Sequence, residues 1–406
     1  MSAQPLEDEH FSRAGGAVAA LFSVMPFTAL TGGALLAPLV AGAALIAAPW
    51  PRLFRALRMG GVSAILLLVF ALWAGASLTW SQRPDITPLL AVAAGAWFLL
   101  LSLAAGLGRR ADAAMVRRAG VIAVVVLMAL LAIEAAFEFP ISQAFAPQNG
   151  VRAAGLDVWL AMAQRGAALA ALWVWGAAAM LARHKWPGWI GAVALFAVLV
   201  WIAFQLPDPL VLLALAVGML AALPALVWPR GAVASTALFA AFLALAAPLY
   251  LPSLAVWTGQ TFQHLTGEDP PFRWLARLDT WSFATDRIHE RLLTGWGLGG
   301  AKAFPETHNL AGFIIPYMPG DPQSLPLHLW LETGAVGAML AAAALAEFGL
   351  RAGAALATER WAAAAASGAI ATAFVIAVTS VDAWALWWWA GLAIAAAMVR
   401  ASRGAP

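Results

Sequence analysis

Apolar runs about as long as a bilayer's hydrocarbon core recur along this chain, separated by short breaks that carry charge, proline or glycine. They fall near 14–31, 33–49, 61–79, 87–107, 119–138, 163–182, 188–205, 209–227, 231–250, 326–349, 361–381 and 383–400. The pattern predicts an all-α fold, a polytopic membrane bundle of twelve transmembrane helices. One long interruption divides it, giving helices 1–9 over 1–250, a loop over 251–325 and helices 10–12 over 326–406.

Composition agrees with that reading, since 63% of the 406 residues are hydrophobic and 11% are Asp, Glu, Lys or Arg, about half the charged share of a soluble domain. The start, Met1 to Arg13, carries Glu7, Asp8 and Glu9 and lacks the basic region and cleavage site of a signal peptide. The first span is therefore expected to be retained. No cysteine is present, which excludes disulfides and thiolate metal sites. A net charge of +3 is too small to point to nucleic acid. With both termini cytoplasmic, fifteen basic residues fall on the inner side, while the short outer loops hold Arg83 and Arg152. The positive-inside rule then places the 251–325 loop outside the cytoplasm.

That loop contains a second pattern. At about 100° per residue, Arg273, Arg277, Arg287 and Arg291 line one face of a helix, Trp274, Leu278, Trp281, Ile288 and Leu292 a second, and Asp279, Asp286 and Glu290 a third. A Trp-rich stripe beside a basic one suits a helix lying in the membrane interface. Its arginines either rest on ordinary headgroups or grip a particular phosphate, for which the guanidinium fork is well shaped. The loop has seven acids against five bases, so any phosphate site is local rather than a general anion funnel. The helix is expected to stop at Thr294-Gly295-Trp296-Gly297-Leu298-Gly299-Gly300. This glycine cluster lacks the Lys-Ser/Thr ending of a nucleotide-binding loop.

Taken together, Arg277-x-x-x-Trp281, Leu293-Thr294-Gly295-Trp296-Gly297-Leu298-Gly299 and Leu329-Trp330-Leu331-Glu332-Thr333-Gly334-Ala335-Val336-Gly337 resemble the O-antigen ligase and O-antigen polymerase superfamily. Gln164-Arg165-Gly166-Ala167 is similar to that family's Asn-Arg-Gly-Ala segment. The resemblance implies a metal-independent, cofactor-free transferase on the outer face of the bacterial inner membrane. Such an enzyme moves a glycan from an undecaprenyl diphosphate carrier to a hydroxyl of lipid A-core or of another carrier-linked glycan. It implies that Arg277 neutralises the departing diphosphate, with Arg165, Arg273, Arg287, Arg291, Trp281 and Glu332 binding substrate. A histidine would take the acceptor proton.

The sequence departs from the family at that histidine. Asp321-Pro322-Gln323-Ser324 stands where members carry a His-Pro-His-Asn run, leaving His328 and His308 as candidate bases. Asp321 could replace them only if its carboxyl were made less acidic. Pro207-Asp208-Pro209 stands where ligases carry Ser-Arg. Each candidate has a structural reading. His328 could be a helix-end hydrogen-bonding group, Glu332 a helix-start residue, and Arg165 a partner of Glu134 or Glu138. Three rival functions stay open at this point. A peptidoglycan-type polymerase would need an essential loop carboxylate, and no such motif surrounds Asp279, Asp286 or Asp321. A transporter would need charged midplane groups, which the spans nearly lack. A member that has lost transfer activity could serve instead as an assembly component of polysaccharide export.

Overall fold

The computed structural model describes residues 4–47, 61–85, 110–145, 158–206 and 208–403. Over the described residues the chain is an all-α bundle with one small hairpin. Its helices are α1 (Gln4–Leu30), α2 (Leu36–Ala47), α3 (Gly61–Ser77), α4 (Arg110–Ala136), α5 (Pro140–Phe145), α6 (Val158–Ala182), α7 (Lys185–Phe204), α8 (Leu210–Ala225), α9 (Pro229–Thr266), α10 (Phe272–Glu290), α11 (Leu325–Ala355), α12 (Arg360–Ser380) and α13 (Leu386–Ala401). Antiparallel strands β1 (Thr307–Leu310) and β2 (Phe313–Pro316) pair between α10 and α11.

Six of these helices are long and apolar enough to cross a membrane, and five shorter ones are apolar. The apolar run at 87–107, expected as a fourth span, lies outside the described residues. Large apolar side chains face outward around the bundle, Phe242 at 63% exposure and Trp186 at 76% among them. Surface of this kind is stable only against lipid or another protein.

The centre of the bundle is α6. Its Trp173 is fully buried and donates its indole N–H to the Gly391 carbonyl of α13, 2.9 Å away. Trp175 donates to Thr372 Oγ1 at 3.0 Å, and that hydroxyl donates in turn to the Ala214 carbonyl at 3.1 Å, joining α6, α12 and α8. Gly218 and Gly368 lie against Trp175 and let the helices approach closely.

Two features of the loop region differ from the sequence reading. Helix α9 continues without interruption to Thr266, well beyond the expected end of its span at 250. Helix α10 forms where the three-sector pattern placed it, but its apolar sector faces protein rather than headgroups. Trp281, Ala284 and Ile288 are buried with Leu251 and Ala255 of α9 and Leu327 and Leu331 of α11. Trp274 donates to the Ala255 carbonyl and Trp281 to the Pro322 carbonyl. The periodicity of an amphipathic helix is the same whether its apolar face meets lipid or protein. The extension of α9 supplies the protein.

Candidate functional site

The site is built on a broken helix. At Gly334, φ is 64° and ψ is −169°, and the two halves of α11 separate there. A break of this kind strands carbonyls on one side and N–H groups on the other, which must find partners when buried. Residues 292–297 fill the gap like a strand. Trp296 N and Gly297 N donate to the Leu331 and Glu332 carbonyls at 2.8 and 2.9 Å, and Ala335 N donates to the Leu292 carbonyl at 2.8 Å.

Close approach of the two segments explains the glycines. A Cβ on Gly295 would lie 2.6 Å from the Glu332 carbonyl group, and one on Gly334 would lie 2.6 Å from Gly295 N. Gly297 faces the Ser77 carbonyl, and Leu298 exchanges hydrogen bonds with Ser77 and Ser81 beyond α3. Two of the motifs that carry the family resemblance, Leu293–Gly299 and Leu329–Gly337, therefore form one interlocked structure.

Interlocking places Glu332 and His328 on the buried N-terminal half of α11. Glu332 is 1% exposed, accepts from Ala301 N through Oε1 at 3.1 Å, and accepts from Trp384 Nε1 through Oε2 at 2.6 Å. His328 is 2% exposed, with Nδ1 2.9 Å from Asp382 Oδ1 and Nε2 3.2 Å from Glu332 Oε1. A carboxylate oxygen can only accept, so hydrogen bonding to Asp382 requires the proton on Nδ1. Both ring nitrogens thus lie beside acids, with Nε2 enclosed and making no hydrogen bond and the Ala383 N–H 3.4 Å from Nδ1. The Asp382 carboxyl lies on the turn between α12 and α13. Burial would raise it, but hydrogen bonding to and the charge of His328 outweigh this and hold it below the ordinary range.

Two arginines border this cluster. Arg277 of α10 donates from Nη2 to Ser380 Oγ at 3.3 Å and to Asp208 Oδ2 at 3.5 Å. Both contacts are long, and its Nε is enclosed with no partner. A guanidinium carries five N–H donors, so Arg277 holds unused donor capacity beside a turn that also carries Asp382. Arg165 enters from the first turns of α6 and lies over the Trp387 ring at 5.7 Å. The acid whose field reaches it is Asp321. Neither Glu134 nor Glu138 pairs with it. Glu134 is fully buried and caps α5, accepting from Ile141 N and Ser142 N at 2.5 and 2.9 Å.

Arg277, Arg165, His328 and Glu332 therefore converge on the segment from Ser380 to Trp387. Other sequence candidates go elsewhere. Trp281 is a core residue at 1% exposure, not a ring offered to substrate. Arg287 bonds to Glu290 and Glu306 at 2.6 and 2.9 Å and lies over the Phe283 and Phe304 rings. Arg291 stacks on Trp296 at 4.1 Å and lines a shallow hollow with Trp80 and Leu293. Arg273 is partly buried and makes no ion pair among the described residues.

His308 lies apart from the cluster. Its Nε2 is 2.9 Å from Asp279 Oδ2, and its ring stacks on Tyr317 at 4.0 Å. Asp279 stands two residues after Arg277, about 200° around the helix, so His308 docks on the face of α10 away from the arginine. The apparent His-Asn pair is a strand residue that fastens the hairpin.

Asp382, Ser380 and Trp384 were missed by sequence reasoning, which treated this stretch only as a break between spans. The available signal was a polar Ser-Val-Asp segment between two strongly apolar runs. The sequence matches no family model and no curated protein.

Proposed function

We propose that this chain is a twelve-span protein of the bacterial inner membrane, with cytoplasmic termini and residues 251–325 outside the cytoplasm, that transfers a glycan from an undecaprenyl diphosphate carrier to a hydroxyl. The acceptor is lipid A-core in a ligase or a carrier-linked glycan in a polymerase. Eleven apolar helices together with the 87–107 run support the span count.

The observation that carries the functional reading is Arg277, a half-enclosed guanidinium with an unpartnered Nε and only long contacts from Nη2. An enclosed guanidinium N–H without a partner is available to an oxyanion, which it binds through charge-assisted hydrogen bonds. Diphosphate is a leaving group whose charge grows as the glycosidic bond breaks, so fixed positive charge there lowers the barrier. Arg165 supplies a second guanidinium to the same cluster. The His328, Glu332 and Asp382 contacts hold the turn that orients both.

Purified protein in liposomes, given carrier-linked glycan and acceptor, tests this. Arg277→Ala is expected to lower kcat/KM by about 100-fold, equivalent to about 2.7 kcal/mol. Retention within threefold removes Arg277 from the site. The Asp208–Arg277 pair favours a second reading, in which the chain binds carrier-linked glycan as an assembly component without transferring it. That reading predicts donor binding by the wild type with no product from any acceptor.

A further inference from the structure

The cluster and its border contain four carboxylates and an imidazole, and their hydrogen bonds separate them by availability. Glu332 has both oxygens engaged, by Ala301 N and Trp384 Nε1. Asp382 Oδ1 faces both the Trp384 N–H at 2.8 Å and His328 Nδ1 at 2.9 Å. His328 is enclosed between two acids. Asp208, beside Arg277, caps Leu210 N with Oδ1 and turns Oδ2 to the guanidinium.

Among the described residues Asp382 Oδ2 also carries no hydrogen bond, but its Oδ1 is held by two groups, whereas Asp321 is engaged by a single donor. Its Oδ1 accepts from Gln323 N at 2.6 Å, while Oδ2 carries no hydrogen bond and is not among the enclosed polar atoms. The loop that bears it is pinned. Pro322 accepts the Trp281 indole N–H at 3.0 Å, and Gln323 takes a left-handed φ of 49°. A non-glycine residue in that region is uncommon and is held there by its surroundings. The result is a rigidly placed carboxylate with one free oxygen, within electrostatic reach of Arg165, His328, Asp382 and Glu332.

We propose that Asp321 is the catalytic base that takes the proton from the acceptor hydroxyl, an assignment that rests on the transfer reaction proposed above. The acceptor oxygen forms a bond to the anomeric carbon as that carbon's bond to the diphosphate oxygen breaks. The bonding pair leaves with the diphosphate, beside Arg277 and Arg165. The hydroxyl proton passes to Asp321 Oδ2 and then to solvent. A normal aspartate is a weak base for this step. Here burial raises the carboxyl, and the Asp382 and Glu332 carboxylates add to the effect against the opposing pull of His328 and the Gln323 N–H. The charged groups that act on it are His328 and Glu332 from α11 and Asp382 from the α12–α13 turn, and its own charge reaches Arg165 of α6.

The test is the liposome assay with kcat, donor KM and a pH profile for wild type, Asp321→Asn and Asp321→His. Thermal protection by carrier-linked glycan reports donor binding independently. Asp321→Asn is expected to lose about 100-fold or more in kcat while keeping donor KM and thermal protection. Asp321→His is expected to keep measurable activity with its acid limb moved toward about pH 6.5. The assignment is overturned by an Asn variant within threefold of wild type in kcat, by loss of donor protection in that variant, or by a His variant whose acid limb stays where wild type's lies. Wild type that yields no product refutes the transfer reading itself, which is a separate outcome.

Discussion

Gly334 shows how much a single residue decides here. Its φ of 64° falls where side chains are strongly disfavoured, and an added Cβ would run into the Leu293 carbonyl and Gly295 N. Gly334→Ala therefore strains the backbone and separates the two interlocked motifs at once. We expect a loss of about 3 kcal/mol or more, read as a lower unfolding midpoint of the detergent-solubilised protein. An unchanged midpoint would mean that the helix break is not built as described. Glycine spacing in the sequence signalled a special backbone, but the identity of the partner segment was not readable from it. Nothing in a one-dimensional pattern states that Leu331 and Glu332 carbonyls need donors from Trp296 and Gly297.

At the scale of elements, α10 carries the clearest lesson. Its existence and its three sectors followed from periodicity alone, because 3.6 residues per turn sort side chains by face. What each sector meets depends on neighbours. The Trp stripe meets α9 and α11, Arg277 meets the turn after α12, and the acidic sector meets the hairpin through Asp279 and His308. The hairpin is held by a column of rings, with Phe283 stacked on Tyr317 and Tyr317 on His308. His308→Ala should therefore loosen the β1–β2 hairpin and speed protease cleavage around Ala311-Gly312, while transfer activity stays within about threefold of wild type. A loss of activity comparable to that of Arg277→Ala would return His308 to the list of catalytic groups.

For the whole molecule, the proposed orientation follows from the placement of basic residues. The absence of cysteine offers a clean measurement. Single cysteines placed at Ser282, exposed on α10, and at His184, exposed between α6 and α7, should differ in intact spheroplasts. A membrane-impermeant maleimide is expected to label position 282 and leave 184 untouched until the membrane is opened. The reverse pattern would put the arginine-bearing helix in the cytoplasm and end the proposal of extracytoplasmic transfer.

By itself the sequence determined the class of fold, because apolar run length answers directly to bilayer thickness and needs no knowledge of neighbours. It also determined the position of α10 and the residues of both interlocked motifs. The tertiary structure decided which candidates share a site. It brought Arg165, Arg277, His328 and Glu332 to one turn, removed Trp281, Arg287 and His308 from it, and added Asp382 and Trp384. The reason is that hydrogen-bond partners across a helix break, and the acids that claim or release a guanidinium, are set by contacts between segments tens to hundreds of residues apart, such as Arg277 with Asp208 at a separation of 69 residues and Trp73 with Thr333 at 260. Local periodicity carries no record of such pairings.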